Sequence, residues 1–568
     1  MEKRWNVREQ APEDKVRKLC EAIRVSPAIA NLLVQRGVET YDQAKDFFRP
    51  DLKSLHDPFQ MKDMDKAVKR IADAAMNREK ILVYGDYDVD GTSSVALVYT
   101  FLKFLGLNCG YYIPDRYAEG YGISFKGVDH AAENGYKLIV ALDCGIKSHD
   151  KVSYAKEKGV EFIICDHHKP DKTLPDAVAV LNPKRTDCEY PYKELPGCGI
   201  GFKLIQALAI NYDMPFEMLE QYLDLVGLSI ASDIVPITGE NRTLTFHGLK
   251  RINSAPRAGF KAIIDLVQLQ KEITVNDLVF VFGPRINSAG RIETGKNAVE
   301  LLIADNPEKA KFSSDSVNKT NFERRDVDTM ITQEAINMIA NDESLQKKKT
   351  TVLYNPEWHK GVIGIVASRL IEKHYYRPTI ILTRSNGKIT GSARSVRDFD
   401  LYEAIDACSH LLEQFGGHKY AAGLTMDEKN LPAFIEMFEK VVSQTIPEEL
   451  LRPVVEIDAP LSFSNINDAF YKILRQLAPF GPGNMAPVFY SDNVIAKYEP
   501  KVVGSNHLRL SLMQEDNPGV SFNAIGFDMG EQINIAASGK PFRISYSLRE
   551  NEWNGMKSIE LNLKDLKA

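Results

Sequence analysis

Cysteine is scarce and unpatterned in this 568-residue chain: seven residues, at 20, 109, 144, 165, 188, 198 and 408, with no Cys-x-x-Cys spacing. An odd count without paired spacing fits no closed disulfide framework, so reduced thiols are expected. Long apolar runs are missing as well. No stretch approaches the roughly 20 apolar residues that cross a bilayer, and the start Met1-Glu2-Lys3-Arg4-Trp5-Asn6 leads into charge rather than a secretion core. A soluble, cytoplasmic chain without membrane contacts is the expectation. Net positive charge is lacking: 71 Lys and Arg against 77 Asp and Glu leave −6, which argues against a protein that coats duplex DNA. There is no internal repeat and no low-complexity tract, which argues against a solenoid or a disordered tail.

What is present is 44% hydrophobic residues in a chain too long for one core, and three or four domains are expected. Residues 1–70 read as a helical lead-in, with Ser26-Pro27 as a start signal and Ile29, Leu32, Leu33 and Val34 at helical spacing. From 71 to 306 apolar runs alternate with helical segments: strand candidates are 81–84, 138–142, 162–165 and 177–181, and helix candidates 92–105 and 150–158. That rhythm predicts an α/β domain with a mostly parallel sheet covered on both faces. A polar stretch with Val327, Met330, Ile331, Ile336 and Ile339 predicts one long connecting helix within 307–346. A second, smaller α/β unit is expected over 347–448, with strands near 351–354 and 379–383. Over 454–568, short runs broken by Gly, Asn and Pro predict a small β-barrel.

Five stretches carry the chemistry: Gly85-Asp86-Tyr87-Asp88-Val89-Asp90-Gly91, Leu142-Asp143-Cys144-Gly145, Cys165-Asp166-His167-His168, Ser232-Asp233-Ile234 and Gly416-Gly417-His418. Clustered carboxylates repel unless something positive sits between them, and a pair of divalent ions answers that need. Oxygen donors with an imidazole suit Mn²⁺ or Mg²⁺ better than zinc. Asp88 and Asp90 can diverge at a strand's end so that each holds a different ion, with Asp143 bridging. Two ions about 3.5 to 4 Å apart support in-line attack at phosphorus, so phosphoester or phosphoanhydride hydrolysis follows as the reaction class. Asp88, Asp90, Asp143, His167 and His168 are the candidate catalytic group, with His168 either a ligand or a phosphate contact. Cys144 and Cys165 lie beside these ligands, though a free cysteine is more often a small buried hydrophobe. Between Arg242 and Lys296, 9 Lys and Arg outnumber 4 Asp and Glu, a basic strip suited to a phosphodiester. Trp358, Tyr111 and Tyr112 are candidate base-stacking residues or core.

The Asp-His-His at 166–168, preceded by the acidic loop at 86–90 and Asp143 and followed by Asp233, resembles the DHH phosphoesterase superfamily. Longer segments resemble its bacterial branch of exonucleases specific for single-stranded DNA: 114–122, Gly283-Pro284-Arg285-Ile286-Asn287-Ser288-Ala289-Gly290-Arg291, 358–369, Gly391-Ser392-Ala393-Arg394-Ser395 and 479–484. The resemblance implies hydrolysis of single-stranded DNA from its 5′ end to mononucleotides, in repair and recombination, and two Mn²⁺ or Mg²⁺ ions. It implies that Asp86, Asp88 and Asp143 hold one ion and Asp90, Asp143, His167 and Asp233 the other. Many relatives carry a histidine ahead of the first acidic pair, where this chain has Tyr84 and Gly85, and Asp86 stands in its place. Arg116, Arg285, Asn287, Arg291, Ser392, Arg394 and His418 are implied contacts to the DNA backbone or 5′-phosphate. The resemblance also implies a DHH-associated domain, an OB-fold barrel with Lys497, Lys501, His507, Arg509 and Trp553 as candidate DNA contacts, a monomer, and single-strand-binding protein and a RecQ-type helicase as partners.

Overall fold

Residues Lys80–Gly85, Cys109–Tyr112, Tyr136–Leu142, Glu161–Cys165 and Ala179–Leu181 are strands of one five-stranded sheet in which every pairing is parallel. The computed structural model describes residues 2–292, 294–553 and 555–568, with the backbone alone at Trp553, so a stacking role for that side chain lies outside the described residues. The chain divides into two compact units, Gln10–Asn321 with Ile466–Pro487, and residues 1–9 with Phe322–Asn465 and Val488–Ala568.

In the first unit the strand pattern explains itself. Ile81, Val83, Leu138, Val140, Leu142 and Ile163 enter one hydrophobic core, while their neighbours Leu82, Tyr84, Ile139, Ala141, Phe162 and Ile164 enter another. Strand side chains alternate between faces, so runs buried on both sides read as continuous apolar segments. In chain order the sheet reads second, first, third, fourth, fifth. The first and third strands are therefore neighbours whose connections leave in opposite directions, and such a reversal opens a crevice at the strands' carboxyl ends. Asp86 follows the first strand and Asp143 the third. The edge strand Cys109–Tyr112 was not anticipated, since four residues containing a glycine carry little periodicity. Tyr111 and Tyr112 lie on it, both part-buried; Tyr111 packs edge-on against Tyr99, while Tyr112 stacks on Tyr84 with ring centroids 5.4 Å apart and its hydroxyl donates to Glu119.

In the second unit the mixed sheet runs in the order Gln414–His418, Ala421–Met426, Lys388–Arg394, Thr379–Ser385, Thr351–Tyr354. The helix Pro307–Ala340 runs 34 residues, as the polar stretch predicts, and Ile331, Ala335 and Ile339 pack with Trp358 in this unit's core. Trp358 is buried and its indole donates to Glu334 at 2.7 Å, which assigns it to packing rather than to base stacking. The strands Phe489–Ala496, Phe542–Trp553, Met556–Lys567, Asn517–Gly526 and His507–Gln514 close into a five-stranded barrel, the last pairing back on the first through Val494 and Gln514. The N-terminal strand Arg4–Val7, absent from the helical expectation for 1–70, pairs in parallel with Val454–Ile457. Among the described residues no helix is long and apolar enough to cross a membrane.

Candidate metal centre and nucleic-acid surfaces

Asp88 caps the helix Val89–Phe104, accepting the Gly91 amide at 3.0 Å, and Asp90 lies in that helix's first turn. A helix N-terminus presents free amides and a partial positive charge, so acids gather there at low cost. Gly91 is required by closeness, since a Cβ at that position would meet the Asp86 carbonyl oxygen at 2.4 Å. Asp90 turns away from Asp88: one carboxylate oxygen takes the Gly197 amide at 2.6 Å, and the other takes the Cys198 amide at 2.8 Å and the Ser229 hydroxyl at 2.7 Å. Those amides open the helix Gly197–Asn211, whose N-terminus therefore holds Asp90.

Asp143 and Asp233 arrive from elsewhere. Asp143 leaves its strand in left-handed backbone geometry, φ 59°, while Asp233 is the C-cap of the helix Leu223–Ser232 and precedes Ile234 at φ 60°. A β-branched residue in that region is strained, and such strain collects at functional sites. The His167 ring brings the set together: its Nε2 lies 3.2 Å from Asp143, 3.6 Å from Asp233 and 3.9 Å from Asp90. Asp143, His167 and His168 form one cluster with metal-ligand spacing, and Asp90, His167 and Asp233 another. Asp86 is fully buried behind them and takes the Gly122 amide at 3.3 Å.

Electrostatically the centre is short of positive charge. Burial, then repulsion from Asp90 and Asp88, pushes the Asp143 carboxyl well above the usual range, and Asp86 is raised by burial and then by Asp88. Burial and Asp90 lift Asp233 to about 8, and burial drops His167 to about 4, so its imidazole is neutral. One oxygen each of Asp86, Asp143 and Asp233, and both His167 ring nitrogens, are buried without a hydrogen-bond partner. Unpartnered buried polar atoms are costly. Asp143, His167 and Asp233, which carry four of them, fall in the two clusters with metal-ligand spacing, and an oxygen-rich set with imidazole fits Mn²⁺ or Mg²⁺. Cys144 and Cys165 are buried thiols whose pKa burial raises, and neither falls in the two clusters with metal-ligand spacing.

The His168 ring lies beside that of His167, with centroids 4.5 Å apart, but has hydrogen-bond partners of its own. Its Nδ1 lies 2.7 Å from Asp166, whose other oxygen takes the Ile146 amide, and its Nε2 faces the Tyr121 hydroxyl at 3.3 Å. Burial opposes its charge, yet the Asp166 bond prevails and raises the His168 pKa. Asp166 was singled out from sequence only as part of the Asp-His-His motif, with no role of its own; Ser229 and the Gly197 amide were not singled out, and Tyr121 stood only within the segment 114–122. Ser229 carried a signal of its own, four residues ahead of Asp233 on a helix.

The implied DNA contacts fall in two places. In the first unit the Arg116 guanidinium lies 4.9 Å from the Tyr87 ring, on the acidic loop itself. Arg285, Asn287 and Arg291 share the helix Gly283–Ile292; Arg285 donates to the Val281 carbonyl and Asn318, and the Arg291 carbonyl accepts from Tyr117. In the second unit Ser392 and Arg394 lie on one face of their strand, two residues apart, with the guanidinium donating to Ser392 at 3.0 Å. Strand register puts Arg394, Ala421 and His418 in one row and Ser392, Gly423 and Gly416 in the next. Gly364, in the first turn of the helix Ile363–Lys373, lets both groups approach: a Cβ there would stand 2.8 Å from Ser392 Oγ and from Arg394. A hydroxyl, a guanidinium and a helix N-terminus are each groups that bind anions.

Carboxylates and imidazoles gathered at the switch point of a parallel sheet, with a second, mixed-sheet α/β domain in the same chain, define a DHH-type phosphoesterase. Residues 80–230 match the model of the DHH family N-terminal domain, 347–444 the DHHA1 domain and 457–565 the RecJ OB domain. The chain is 34% identical to the single-stranded-DNA-specific exonuclease RecJ of Bacillus subtilis, over 99% of this chain and 70% of the relative, and 31% identical to that of Escherichia coli, over 95% and 96%. It resembles the crystal structure of Thermus thermophilus RecJ in complex with Mn²⁺ at a TM-score of 0.85 and 28% identity, over 100% of this chain and 79% of the other. The chain belongs to the RecJ family.

Proposed function

We propose that this protein is a metal-dependent exonuclease specific for single-stranded DNA, which hydrolyses phosphodiester bonds from the 5′ end and releases mononucleotides. The observation that carries this reading is the convergence of unpartnered buried carboxylate and imidazole atoms at the switch point, in a chain whose relatives are named single-stranded-DNA-specific exonucleases. Asp86, Asp88 and Asp143 would hold one divalent ion, and Asp90, Asp143, His167 and Asp233 the other, Mn²⁺ or Mg²⁺. When bound, such ions lower the pKa of water and neutralise charge on the phosphoryl group.

The chain's own residues supply the rest. Asp166 fixes His168 with one ring nitrogen toward Tyr121 and raises its pKa, so His168 can offer a proton to a phosphate or leaving oxygen. Arg116, Asn287, Arg285 and Arg291 contact the DNA backbone. Ser392 and Arg394 bind a phosphate over the helix N-terminus, with His418 in the row beside Arg394. That anion site supports a grip on a terminal phosphate, and the family resemblance supplies the 5′ polarity. On the barrel, exposed Lys501 and Arg509 stand directly opposite each other across paired strands. Like charges so placed repel, and a polyanion relieves them. In a Mn²⁺-dependent assay with labelled single-stranded DNA, duplex DNA and dinucleotides, single strands are expected to yield mononucleotides from the 5′ end. Equal release from both ends, or preference for dinucleotides, contradicts the reading.

A further inference from the structure

Residues Ile466–Pro487 belong to the first unit although the chain on either side of them lies in the second, and they carry the segment 479–484. That segment packs on the residues that follow Asp233. The Ile237 amide donates to the Pro482 carbonyl at 2.7 Å. A Cβ at Gly481 would meet the fully buried Ile237 side chain at 2.4 Å, and one at Gly483 would meet Thr238 at 2.8 Å. Arg242, in the first turn of the helix Gly239–Ser254, is buried and donates to the carbonyls of Leu477 at 3.0 Å, Ala478 at 2.9 Å and Phe47 at 3.0 Å. The buried Asn484 side chain closes the turn, donating to the Leu477 and Pro479 carbonyls at 2.9 Å each and accepting from Arg36 at 2.9 Å. From within the first unit, Tyr192 and the fully buried Asn241 donate to the Pro236 carbonyl at 3.2 and 3.0 Å.

What is held this way is the far end of a strained span. Asp90 has both carboxylate oxygens fixed by amides and Ser229, whereas Asp233 Oδ2 is buried without a hydrogen-bond partner. The place of Asp233 therefore depends on its backbone. Ile234, next in the chain, has φ 60° and is 69% exposed, so its side chain is not packed into that conformation. A β-branched residue in the left-handed region persists only where the surrounding structure over-determines it. Two backbone anchors bound the span: the Asp233 amide on the Ser229 carbonyl at 2.9 Å, and the Ile237 amide on Pro482. We propose that the loop Leu477–Asn484 is a brace that positions Asp233 to bind metal, with Arg242 and Gly481 as positioning residues. The inference rests on the reading of Asp233 as a metal ligand above. Groups that orient a ligand without touching the ion are worth about 10- to 100-fold in metal affinity.

The test measures Mn²⁺ binding by calorimetry, below the melting transition, for the wild type, Gly481→Ala, Arg242→Lys, Asp233→Asn and Ile263→Ala. Arg242→Lys keeps the charge and gives up the planar fork. Ile263→Ala truncates a fully buried core residue of the helix Ala258–Leu266, outside the brace, and serves as the control for lost stability. Asp233→Asn should lose one class of Mn²⁺ site. Gly481→Ala and Arg242→Lys should weaken that same site about tenfold and leave the other unchanged, while Ile263→Ala melts earlier and binds Mn²⁺ as the wild type does. Wild-type affinity at both sites in folded Gly481→Ala and Arg242→Lys overturns the proposal and leaves the ligand reading standing. So does an equal weakening in Ile263→Ala, because the effect would then be a general loss of stability. Unchanged binding in Asp233→Asn overturns the ligand reading itself, and the brace with it.

Discussion

Asp143 is the residue on which the centre turns, shared by both sets of proposed ligands and the nearest carboxylate to the His167 ring. Its raised pKa has a consequence for stability. An acid whose folded pKa exceeds its unfolded value of about 3.9 leaves the folded state holding more protons, so stability falls as pH rises between the two values. For the metal-free protein that interval begins near pH 4 and runs upward through Asp233, at about 8. Asp143→Asn removes one repelling charge. The variant is expected to melt about 3 °C or more above the metal-free wild type at pH 8, with the gap closing as pH falls toward 4. It should also lose the Mn²⁺-dependent rise in melting temperature and about 10³-fold or more in activity; melting curves with and without Mn²⁺ across that range check all three. Ser229 acts at one remove. Ser229→Ala takes one hydrogen bond from Asp90 while leaving the Gly197 and Cys198 amides in place, and should raise the Mn²⁺ midpoint about tenfold, the loss of roughly one bond to a charged group. Thermal-shift titration reads this directly, and an unchanged midpoint would detach Asp90 from metal binding.

At the scale of elements, helix N-termini recur: Val89–Phe104 carries Asp88 and Asp90, Gly197–Asn211 holds Asp90, and Ile363–Lys373 opens beneath Ser392 and Arg394. Gly364→Ala tests the last. The methyl enters against both side chains, so KM for 5′-phosphorylated DNA should rise about tenfold, roughly the loss of one charge-assisted bond, with kcat little changed. Steady-state kinetics on phosphorylated and dephosphorylated ends would show it, and an equal effect on both ends would argue against a phosphate site. Much at this scale was legible in the sequence, because continuous apolar runs ending in acids mark buried parallel strands, and polar spacing marks the long helix. Cys109–Tyr112 and Arg4–Val7 escaped because strands of four residues hold too little pattern. The ligands were legible as residue types placed after apolar runs. Their supports were not: the Gly197 amide is a backbone group far along the chain from Asp90, and Asn182 meets the His168 carbonyl only once the fifth strand lies beside the fourth.

For the whole molecule, the net charge of −6 conceals a division of labour. Acids concentrate where metal would neutralise them, while the proposed DNA contacts carry arginine and lysine. If those contacts supply affinity through phosphate neutralisation, DNA binding should weaken steeply with salt, by about 10-fold or more between 50 and 200 mM, whereas Mn²⁺ binding at the buried centre should change little because buried charges are weakly screened. The central claim is metal-dependent hydrolysis from the 5′ end at the Asp143 centre, and the most direct measurement labels a single strand separately at its 5′ and 3′ ends and follows products in Mn²⁺ for the wild type and Asp143→Asn. The account predicts immediate release of a labelled mononucleotide from the 5′-labelled strand, progressive shortening of the 3′-labelled strand, and neither with the variant. Release beginning at the 3′ end, or cleavage that survives Asp143→Asn, would contradict it.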